Sequence, residues 1–143
     1  MPDVLIATDA PWLRDEVRSV LDPDFTVREV TRGFEVLPEV RKRAPDLAVL
    51  DLQIGKMGGM ATCLDLRLEE GAGRLARVPV LMLLDRRADV FLARRAQANG
   101  WLVKPLDPMR LSRAIRAVLG GGRYEDDAYR PPTIPAPAPA PAQ

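Results

Sequence analysis

The amino-acid sequence predicts an α/β fold, a doubly wound five-stranded parallel sheet with flanking helices. Short apolar runs rich in Val, Ile and Leu alternate with longer segments of helical period along the chain. Four of the five apolar runs are hydrophobic almost throughout, which is typical of parallel strands that are covered on both faces. Strands that alternate with helices in this way imply right-handed crossovers within one sheet.

The five predicted strands are not all alike. The run at residues 25–30, FTVREV, alternates between apolar and polar side chains, which indicates a strand at the edge of the sheet. The other four strands are predicted at residues 4–8, 47–51, 78–84 and 100–103.

The helices are predicted from apolar residues spaced three and four positions apart. Three such faces can be recognised: Leu13, Val17, Val20 and Leu21; Val36, Leu37, Val40 and Ala44; and Leu111, Ile115, Val118 and Leu119. Pro11 suits the first turn of its helix. Pro38 is compatible with the second helix only if that helix starts near Phe34, because proline has no N–H to donate within a helix.

The length of 143 residues predicts one domain, and the change in composition near residue 120 predicts where it ends. We assign residues 1–120 to the domain. Residues 121–143 are rich in Gly, Pro and Ala and include a Pro-Ala repeat, so we expect a disordered tail with extended polyproline character. We interpret the tail as a solubilising segment, with a proline-motif ligand as the alternative.

The composition excludes several kinds of function. The chain has no histidine, which excludes Ser-His-Asp and Cys-His catalysis and histidine metal sites. The single cysteine, Cys63, cannot form an internal disulfide, and we interpret it as a packing residue. A net charge of +1 gives no general argument for nucleic acid or an anionic membrane. No run approaches the roughly 18 apolar residues that span a bilayer, and the N-terminus has no basic leader, so we expect a soluble, cytoplasmic protein.

Five polar or unusual residues fall where the predicted strands end. Ligands bind outside the carboxyl ends of the strands in open α/β sheets. Thr8, Asp9, Asp51, Leu84 and Lys104 all lie at those ends. Since histidine is absent, any chemistry at this edge must use carboxylates, lysine or the backbone.

The motifs at these strand ends resemble those of one known family. They are TDAP after the first strand, PDLAVLDLQIGKMGG at residues 45–59, and GWLVKP at the last strand. In order and spacing, residues 2–120 resemble the receiver domain of bacterial response regulators, which has a flavodoxin-like fold. Two positions depart from the family's motif, because Gly55 stands where proline is usual and Gly58 where aspartate is usual.

The resemblance implies a role for each strand-end residue. Asp51 would be the nucleophile that accepts a phosphoryl group from a histidine kinase or a small acyl phosphate, and Lys104 would bind the transferred phosphoryl oxygens. Asp9, Asp51 and the backbone carbonyl of Gln53 would be the ligands of Mg²⁺. A turn or helix cap is the alternative interpretation of Asp51.

Three departures from the family concern the site and its switch. Thr8 stands where the family usually has a second acid, so we expect weaker Mg²⁺ binding. Leu84 stands where Ser or Thr usually binds the phosphoryl group, and leucine has no hydroxyl to donate. Trp101 stands where a switching Tyr or Phe is common, and we interpret it as a core or surface anchor instead. Asp85 follows Leu84 and would either place a charge at the pocket mouth or cap the fourth helix.

The family's usual output face, formed by the fourth helix, fifth strand and fifth helix, is rich in arginine here. The partner-face candidates are Arg94, Arg95, Arg110, Arg113 and Arg116, with Arg86 and Arg87 nearby. Arginine suits paired contacts with carboxylates, so an isologous homodimer or an acidic protein partner is the favoured functional interpretation, and an inert solvated face stays open as the alternative. We expect no direct binding of nucleic acid, because no helix-turn-helix segment remains outside the receiver.

Three functions are weighed. The favoured one is an atypical, stand-alone receiver that acts as a protein–protein interaction module in signalling and is not an enzyme, with phosphorylation at Asp51 weak, absent or uncoupled from output. The second is a conventional receiver in a histidine kinase pathway, which Asp9, Asp51 and Lys104 support. The third is a flavodoxin-like binding protein or small enzyme. It has little support, because neither TDAP nor the glycines after Asp51 form a phosphate cradle.

Overall fold

Five parallel strands and five helices alternate along the chain in the computed structural model, which describes residues 1–126. The strands are β1 (Asp3–Ala7), β2 (Thr26–Val30), β3 (Leu47–Asp51), β4 (Val80–Leu84) and β5 (Gly100–Val103). The helices are α1 (Pro11–Ser19), α2 (Val36–Lys42), α3 (Gly59–Gly71), α4 (Val90–Arg95) and α5 (Pro108–Leu119). All neighbouring strands are parallel, so the predicted fold class is confirmed.

The strand order in the sheet is β2-β1-β3-β4-β5. β2 lies at one edge, which confirms the prediction from its alternating sequence. The order changes direction between β1 and β3, and in sheets of this type such a change opens a crevice at the carboxyl ends of the two strands. Thr8 and Asp51 therefore end up at the crevice although they are far apart in sequence.

Apolar side chains fill both faces of the sheet. On one face the core contains Met82 and Leu84 of β4 together with residues of α2, α3 and α4, such as Cys63. On the other face Leu81 and Leu83 of β4 pack with residues of α1 and α5. Because successive side chains of a strand point to opposite faces, a strand covered on both sides must be apolar throughout, as the sequence of β4 is.

The two helix prolines lie where their missing N–H groups are not needed. Pro11 is the first residue of α1. A 3-10 turn at Gly33–Glu35 precedes α2, whose α-helical part begins at Val36. Pro38 is therefore in the first turn of α2, and the start predicted near Phe34 corresponds to this 3-10 turn.

Two expectations from composition can be compared with the described residues. Cys63 is fully buried, its thiol donates to the carbonyl oxygen of Ala96 at 3.2 Å, and burial raises the pKa of the thiol to about 11. This confirms a packing role. In residues 1–126 no helix combines the length and the hydrophobicity that crossing a bilayer requires.

β5 comes last in the strand order, yet every one of its residues is buried. The chain after α5 turns back along it, and the amide of Trp101 donates to the carbonyl oxygen of Tyr124 at 3.0 Å. The sequence assigns residues 121–126 to the tail, but in the structure Tyr124 and Asp126 of this segment contact β5. The remainder of the predicted tail, residues 127–143, lies outside the described residues.

Candidate functional site

The carboxyl ends of β1, β3, β4 and β5 bring five polar side chains to one edge of the sheet. Thr8 follows β1, Asp51 ends β3, Asp85 follows β4, and Lys104 follows β5. Asp9 comes from the loop after Thr8. Adjacent parallel strands end at the same edge, so residues separated by as many as 53 positions in the chain form hydrogen bonds here.

Asp51 is at the centre of this site and is only 2% exposed. Its Oδ1 accepts hydrogen bonds from Lys104 Nζ at 2.7 Å and from the amide of Gln53 at 3.1 Å. Its Oδ2 accepts a hydrogen bond from Thr8 Oγ1 at 2.7 Å. Both carboxylate oxygens are thus held by donors of the protein itself. These partners explain how a charged group is accommodated at a nearly buried position.

Lys104 connects two carboxylates. Besides Asp51, its Nζ contacts Asp85 Oδ1 at 2.8 Å. Burial by itself would lower the pKa of Lys104, but the hydrogen bonds and negative charges of Asp51 and Asp85 outweigh it, so the pKa is raised above its ordinary value. The ammonium group therefore stays charged at neutral pH and neutralises two acids at once.

Thr8 faces the site directly. Its hydroxyl donates a hydrogen bond to Asp51 and accepts a hydrogen bond from the amide of Ala10 at 3.1 Å. The side chain is 4% exposed. A hydroxyl satisfied in this way contributes a neutral oxygen where the family usually has a carboxylate, so the crevice contains one negative charge fewer.

Asp9 is exposed, and its carboxylate is bound to the loop after β3. Asp9 Oδ2 accepts the amide of Gly55 at 3.1 Å. Proline, which the family usually has at this position, could not donate this bond because it lacks an N–H. Because glycine stands here instead of proline, its N–H binds one carboxylate oxygen of Asp9, which the family resemblance implies as a metal ligand.

Asp9, Asp51 and Gln53 offer oxygen ligands of the kind that Mg²⁺ prefers. The set fits Mg²⁺ in kind, with two carboxylates, one backbone carbonyl and the remaining positions left for water. It is poor in charge, because Asp9 and Asp51 are its only two carboxylates and Thr8 adds a neutral oxygen. Both carboxylates are already hydrogen bonded within the protein.

Leu84 and Trp101 belong to the core and not to the polar site. Leu84 is fully buried, Trp101 is 2% exposed, and both lie in the apolar cluster under α4. The guanidinium of Arg94 lies 5.5 Å from the centre of the Trp101 ring. Trp101 is thus a core residue, and Leu84, the last residue of β4, gives no polar group to the crevice.

The predicted partner-face arginines separate into two groups. Arg94, Arg95, Arg113 and Arg116 are exposed. Arg110 is different, because its Nη1 contacts Asp126 Oδ1 at 2.8 Å and its side chain is 23% exposed. Arg110 is therefore engaged with the chain's own carboxylate and is not part of an open face.

The sequence interpretation missed two contacts. For Asp85 it considered a charge at the pocket mouth or a helix cap without naming a partner, and the 3-10 turn before α4 is capped by Asp89, which accepts a hydrogen bond from the amide of Arg86 at 3.1 Å. Asp85 instead binds Lys104. Since both residues directly follow neighbouring strands, their positions in the chain could have indicated this pair. The contact between Arg110 and Asp126 had no such signal, because Asp126 was assigned to the tail.

Known proteins resemble this chain over most of its length. It is 30% identical over 131 residues to the nitrate/nitrite response regulator protein NarL of Escherichia coli (strain K12), covering 90% of this chain and 59% of that protein. It is 32% identical over 127 residues to the DNA-binding response regulator MtrA of Mycolicibacterium smegmatis, covering 87% of this chain and 52% of that protein. The chain thus spans between half and two thirds of these relatives.

Solved structures show the same fold. A putative response regulator from Chloroflexus aurantiacus superimposes with a TM-score of 0.72 at 27% identity, covering 83% of this chain and 98% of that one. The chemotaxis response regulator CheY4 of Vibrio cholerae gives a TM-score of 0.72 at 26% identity, covering 82% and 98%. The family model of the response regulator receiver domain matches residues 4–116. Together with a strand-end aspartate paired to a lysine, these matches show that the chain belongs to the response regulator receiver domain family.

Proposed function

We propose that this receiver domain acts as a protein–protein interaction module in signalling, and that phosphorylation of Asp51 is weak, absent or uncoupled from its output. One observation carries the proposal. Donors of the protein hold both oxygens of Asp51, and the lysine that would receive a phosphoryl group is shared with Asp85. The chain is not proposed as an enzyme beyond gaining and losing a phosphoryl group at Asp51.

Phosphoryl transfer would require these contacts to change. An oxygen of Asp51 must form a bond to phosphorus while phosphorus loses its bond to the leaving atom, which is the imidazole nitrogen of a phosphohistidine or the acyl oxygen of an acyl phosphate, and the bonding electrons stay with the leaving group. Oδ2 accepts one hydrogen bond, from Thr8, and keeps a second lone pair for attack, whereas Oδ1 accepts from both Lys104 and Gln53 and would have to lose one of these bonds. Lys104 would also have to exchange Asp85 for the transferred oxygens. Each exchange lowers the reactivity of Asp51 relative to a site with free groups.

Mg²⁺, when bound, would neutralise charge between the carboxylate and the phosphoryl group. Asp9, Asp51 and the carbonyl of Gln53 are the residues proposed to hold it. Asp9 would have to share its carboxylate with the amide of Gly55, and Thr8 adds no charge. We therefore propose that Mg²⁺ binding is weakened.

The link from Asp51 to the output face is also proposed to be broken. In the family, a hydroxyl at the end of the fourth strand binds the phosphoryl group and moves the following loop. Leu84 has no donor and is fully buried among apolar side chains. Leu84 therefore offers no polar contact through which a change at Asp51 could favour another position of Trp101 or α4.

Incubation with Mg²⁺ and a small acyl phosphate, followed by intact mass, tests the proposal. We expect little adduct in the wild type, and faster labelling in Asp85→Ala because Lys104 is then free to bind phosphoryl oxygens. Asp51→Ala is the negative control. A nearly complete wild-type adduct that disappears in Asp51→Ala would instead identify a conventional phosphoryl-accepting receiver.

The proposed partner is a histidine kinase or another signalling protein with an acidic surface. The exposed side chains of Arg94, Arg95, Arg113 and Arg116 support this, since arginine forms paired contacts with carboxylates. A homodimer through the same face is the less favoured possibility, because it would bring like charges together. We propose no direct contact with nucleic acid.

We expect Arg113→Glu combined with Arg116→Glu to weaken partner binding, with the largest effect at low salt. Exposed charges are screened over about 8 Å at physiological ionic strength, so added salt should reduce wild-type binding as well. Arg41→Glu with Arg77→Glu makes the same charge change outside this face and is the control. Equal pull-down and sedimentation profiles for both double variants would show that the α5 arginines are only solvated.

We expect Thr8→Asp to increase Mg²⁺ affinity by at least about tenfold, equivalent to about 1.4 kcal/mol, because it restores the missing charge beside Asp51. Without the metal, the variant should melt at a lower temperature, since two carboxylates would then repel each other. Calorimetric titration and melting curves with and without Mg²⁺ measure both effects. Unchanged affinity would show that the charge deficit does not limit metal binding.

A further inference from the structure

Residues 120–126, which we call the strap, return from α5 to the outward edge of β5, where Tyr124 and Asp126 contact it. The edge strand of a sheet exposes unpaired N–H and C=O groups that can pair with another extended segment. The amides of Trp101 and Val103 are such groups here, and both donate to the strap. By contrast, the amide of Lys104 donates into the sheet, to the carbonyl oxygen of Leu84 at 2.8 Å.

Glycines let the chain return to β5 after α5 ends. Gly121 has a φ of +87°, in the left-handed region that glycine adopts readily. The amide of Gly122 donates to the carbonyl oxygen of Ala117 at 2.9 Å, which closes the end of α5. The turn directs residues 123–126 along β5 in the parallel direction.

Tyr124 pairs with β5 as a short added strand would. Its amide donates to the carbonyl oxygen of Asn99 at 3.1 Å, and its carbonyl oxygen accepts the amide of Trp101 at 3.0 Å. Gly100 permits this approach, because a Cβ on Gly100 would lie 2.9 Å from the carbonyl oxygen of Tyr124 and 3.2 Å from its Cβ. A larger residue at position 100 would push against the strap and also against Val118 of α5, whose Cγ2 would lie 3.1 Å from the Cβ.

Asp126, at the C-terminal end of the strap, binds both β5 and α5 through its carboxylate. Its Oδ2 accepts the amide of Val103 at 3.1 Å, and its Oδ1 contacts Arg110 Nη1 at 2.8 Å. The residue is 1% exposed. A carboxylate thus satisfies both an edge amide and an arginine of α5.

We propose that the edge of β5 is a binding site for an extended acidic peptide segment, and that the strap occupies it as an intramolecular substitute for that segment. The strap shows which chemistry the site accepts: one residue that pairs through its backbone, followed two positions later by a carboxylate. The exposed arginines of α4 and α5 on either side favour further acidic side chains in a competing segment. This site is separate from Asp51 and does not depend on phosphorylation.

The probe is a synthetic peptide with the sequence of residues 122–127, GRYEDD. We expect Asp126→Ala, which releases the strap, to bind this peptide at least tenfold more tightly than the wild type does. The control peptide GRYEAD, which lacks the carboxylate that corresponds to Asp126, should bind at least tenfold more weakly than GRYEDD. Gly100→Ala added to Asp126→Ala should abolish peptide binding, because the Cβ blocks the approach of the peptide backbone.

Amide hydrogen exchange followed by NMR tests the same proposal without a peptide. In Asp126→Ala the amides of Trp101 and Val103 should exchange at least tenfold faster, while the amide of Lys104, bonded to β4, keeps its protection and reports an intact sheet. Arg123→Ala, at an exposed strap position, should leave the exchange rates of the Trp101 and Val103 amides unchanged. Equal peptide binding by wild type and Asp126→Ala, no binding by either, or fast exchange of Trp101 and Val103 in the wild type would overturn the proposal.

Discussion

Replacing Lys104 with methionine is expected to lower the free energy of unfolding at pH 7 by about 3–5 kcal/mol. Lys104 is the only cation within hydrogen-bond distance of Asp51 in residues 1–126, at 2.7 Å, and the Asp51 side chain is 2% exposed. Methionine retains much of the length of the lysine side chain but removes the charge, so a nearly buried carboxylate is left without its counter-ion. Urea denaturation of both proteins measures the loss.

The double variant Lys104→Met with Asp51→Asn is the matched control. Asparagine has the shape of aspartate without its charge, so the double variant should regain most of the stability lost in Lys104→Met. If the losses of unfolding free energy in Lys104→Met and in Asp51→Asn add in the double variant instead, the lysine stabilises the fold through packing and not through its charge.

The raised pKa of Lys104 also predicts how this difference changes with pH. A group whose pKa is higher in the folded than in the unfolded protein contributes its full stabilisation below the unfolded value, here near 10.5. The contribution is lost as pH rises through the folded value. The stability gap between wild type and Lys104→Met should therefore be constant around neutrality and shrink above pH 10.5. A stability gap that is unchanged above pH 10.5 would show that the charged form of Lys104 is not the source of the stabilisation.

Leu84→Thr is expected to lower the free energy of unfolding by about 2–3 kcal/mol. Leu84 is fully buried in the core with Trp101, so the change removes apolar contacts and buries a hydroxyl. Leu84→Val has the shape of the threonine variant without the hydroxyl, and we expect it to cost about 1 kcal/mol. Thermal and urea denaturation of the three proteins separate the two contributions.

The same pair of variants tests whether the missing hydroxyl uncouples the switch. With beryllofluoride, an acyl phosphate mimic, we expect NMR shifts that reach Trp101 and α4 in Leu84→Thr only. In the wild type and in Leu84→Val the shifts should stay near Asp51 or be absent. Shifts that already extend to α5 in the wild type would mean that β4 transmits the signal without a hydroxyl, and the uncoupled function would be wrong.

Much of the site was predictable because strand ends can be recognised locally. The apolar run that ends at Asp51 and the lysine that follows GWLV place both residues at the carboxyl ends of parallel strands, and the fold requires those ends to meet. The departures at Thr8 and Leu84 could also be read directly. The hydrogen-bond partner of each side chain could not be predicted from the sequence, because side-chain directions depend on how neighbouring strands are aligned.

Gly55 and Asp85 illustrate this limit. The sequence shows that Gly55 replaces a proline, but only the folded chain shows that the new N–H binds Asp9 at 3.1 Å. Asp85 could have capped a helix or faced the crevice, and both positions are open to an aspartate after a strand. The neighbouring strand decides between them by bringing Lys104 within 2.8 Å.

The sequence by itself determined the fold class, the edge position of β2 and the identity of the strand-end residues, because periodicity and composition act locally along the chain. Only the tertiary structure decided that both oxygens of Asp51 are hydrogen bonded, that Arg110 is engaged with Asp126, and that Tyr124 and Asp126 contact β5. The physical reason is that a hydrogen-bonding group at a sheet edge takes whichever partner the packing of distant segments brings near. A segment rich in glycine and charge carries no periodic signal of that partner.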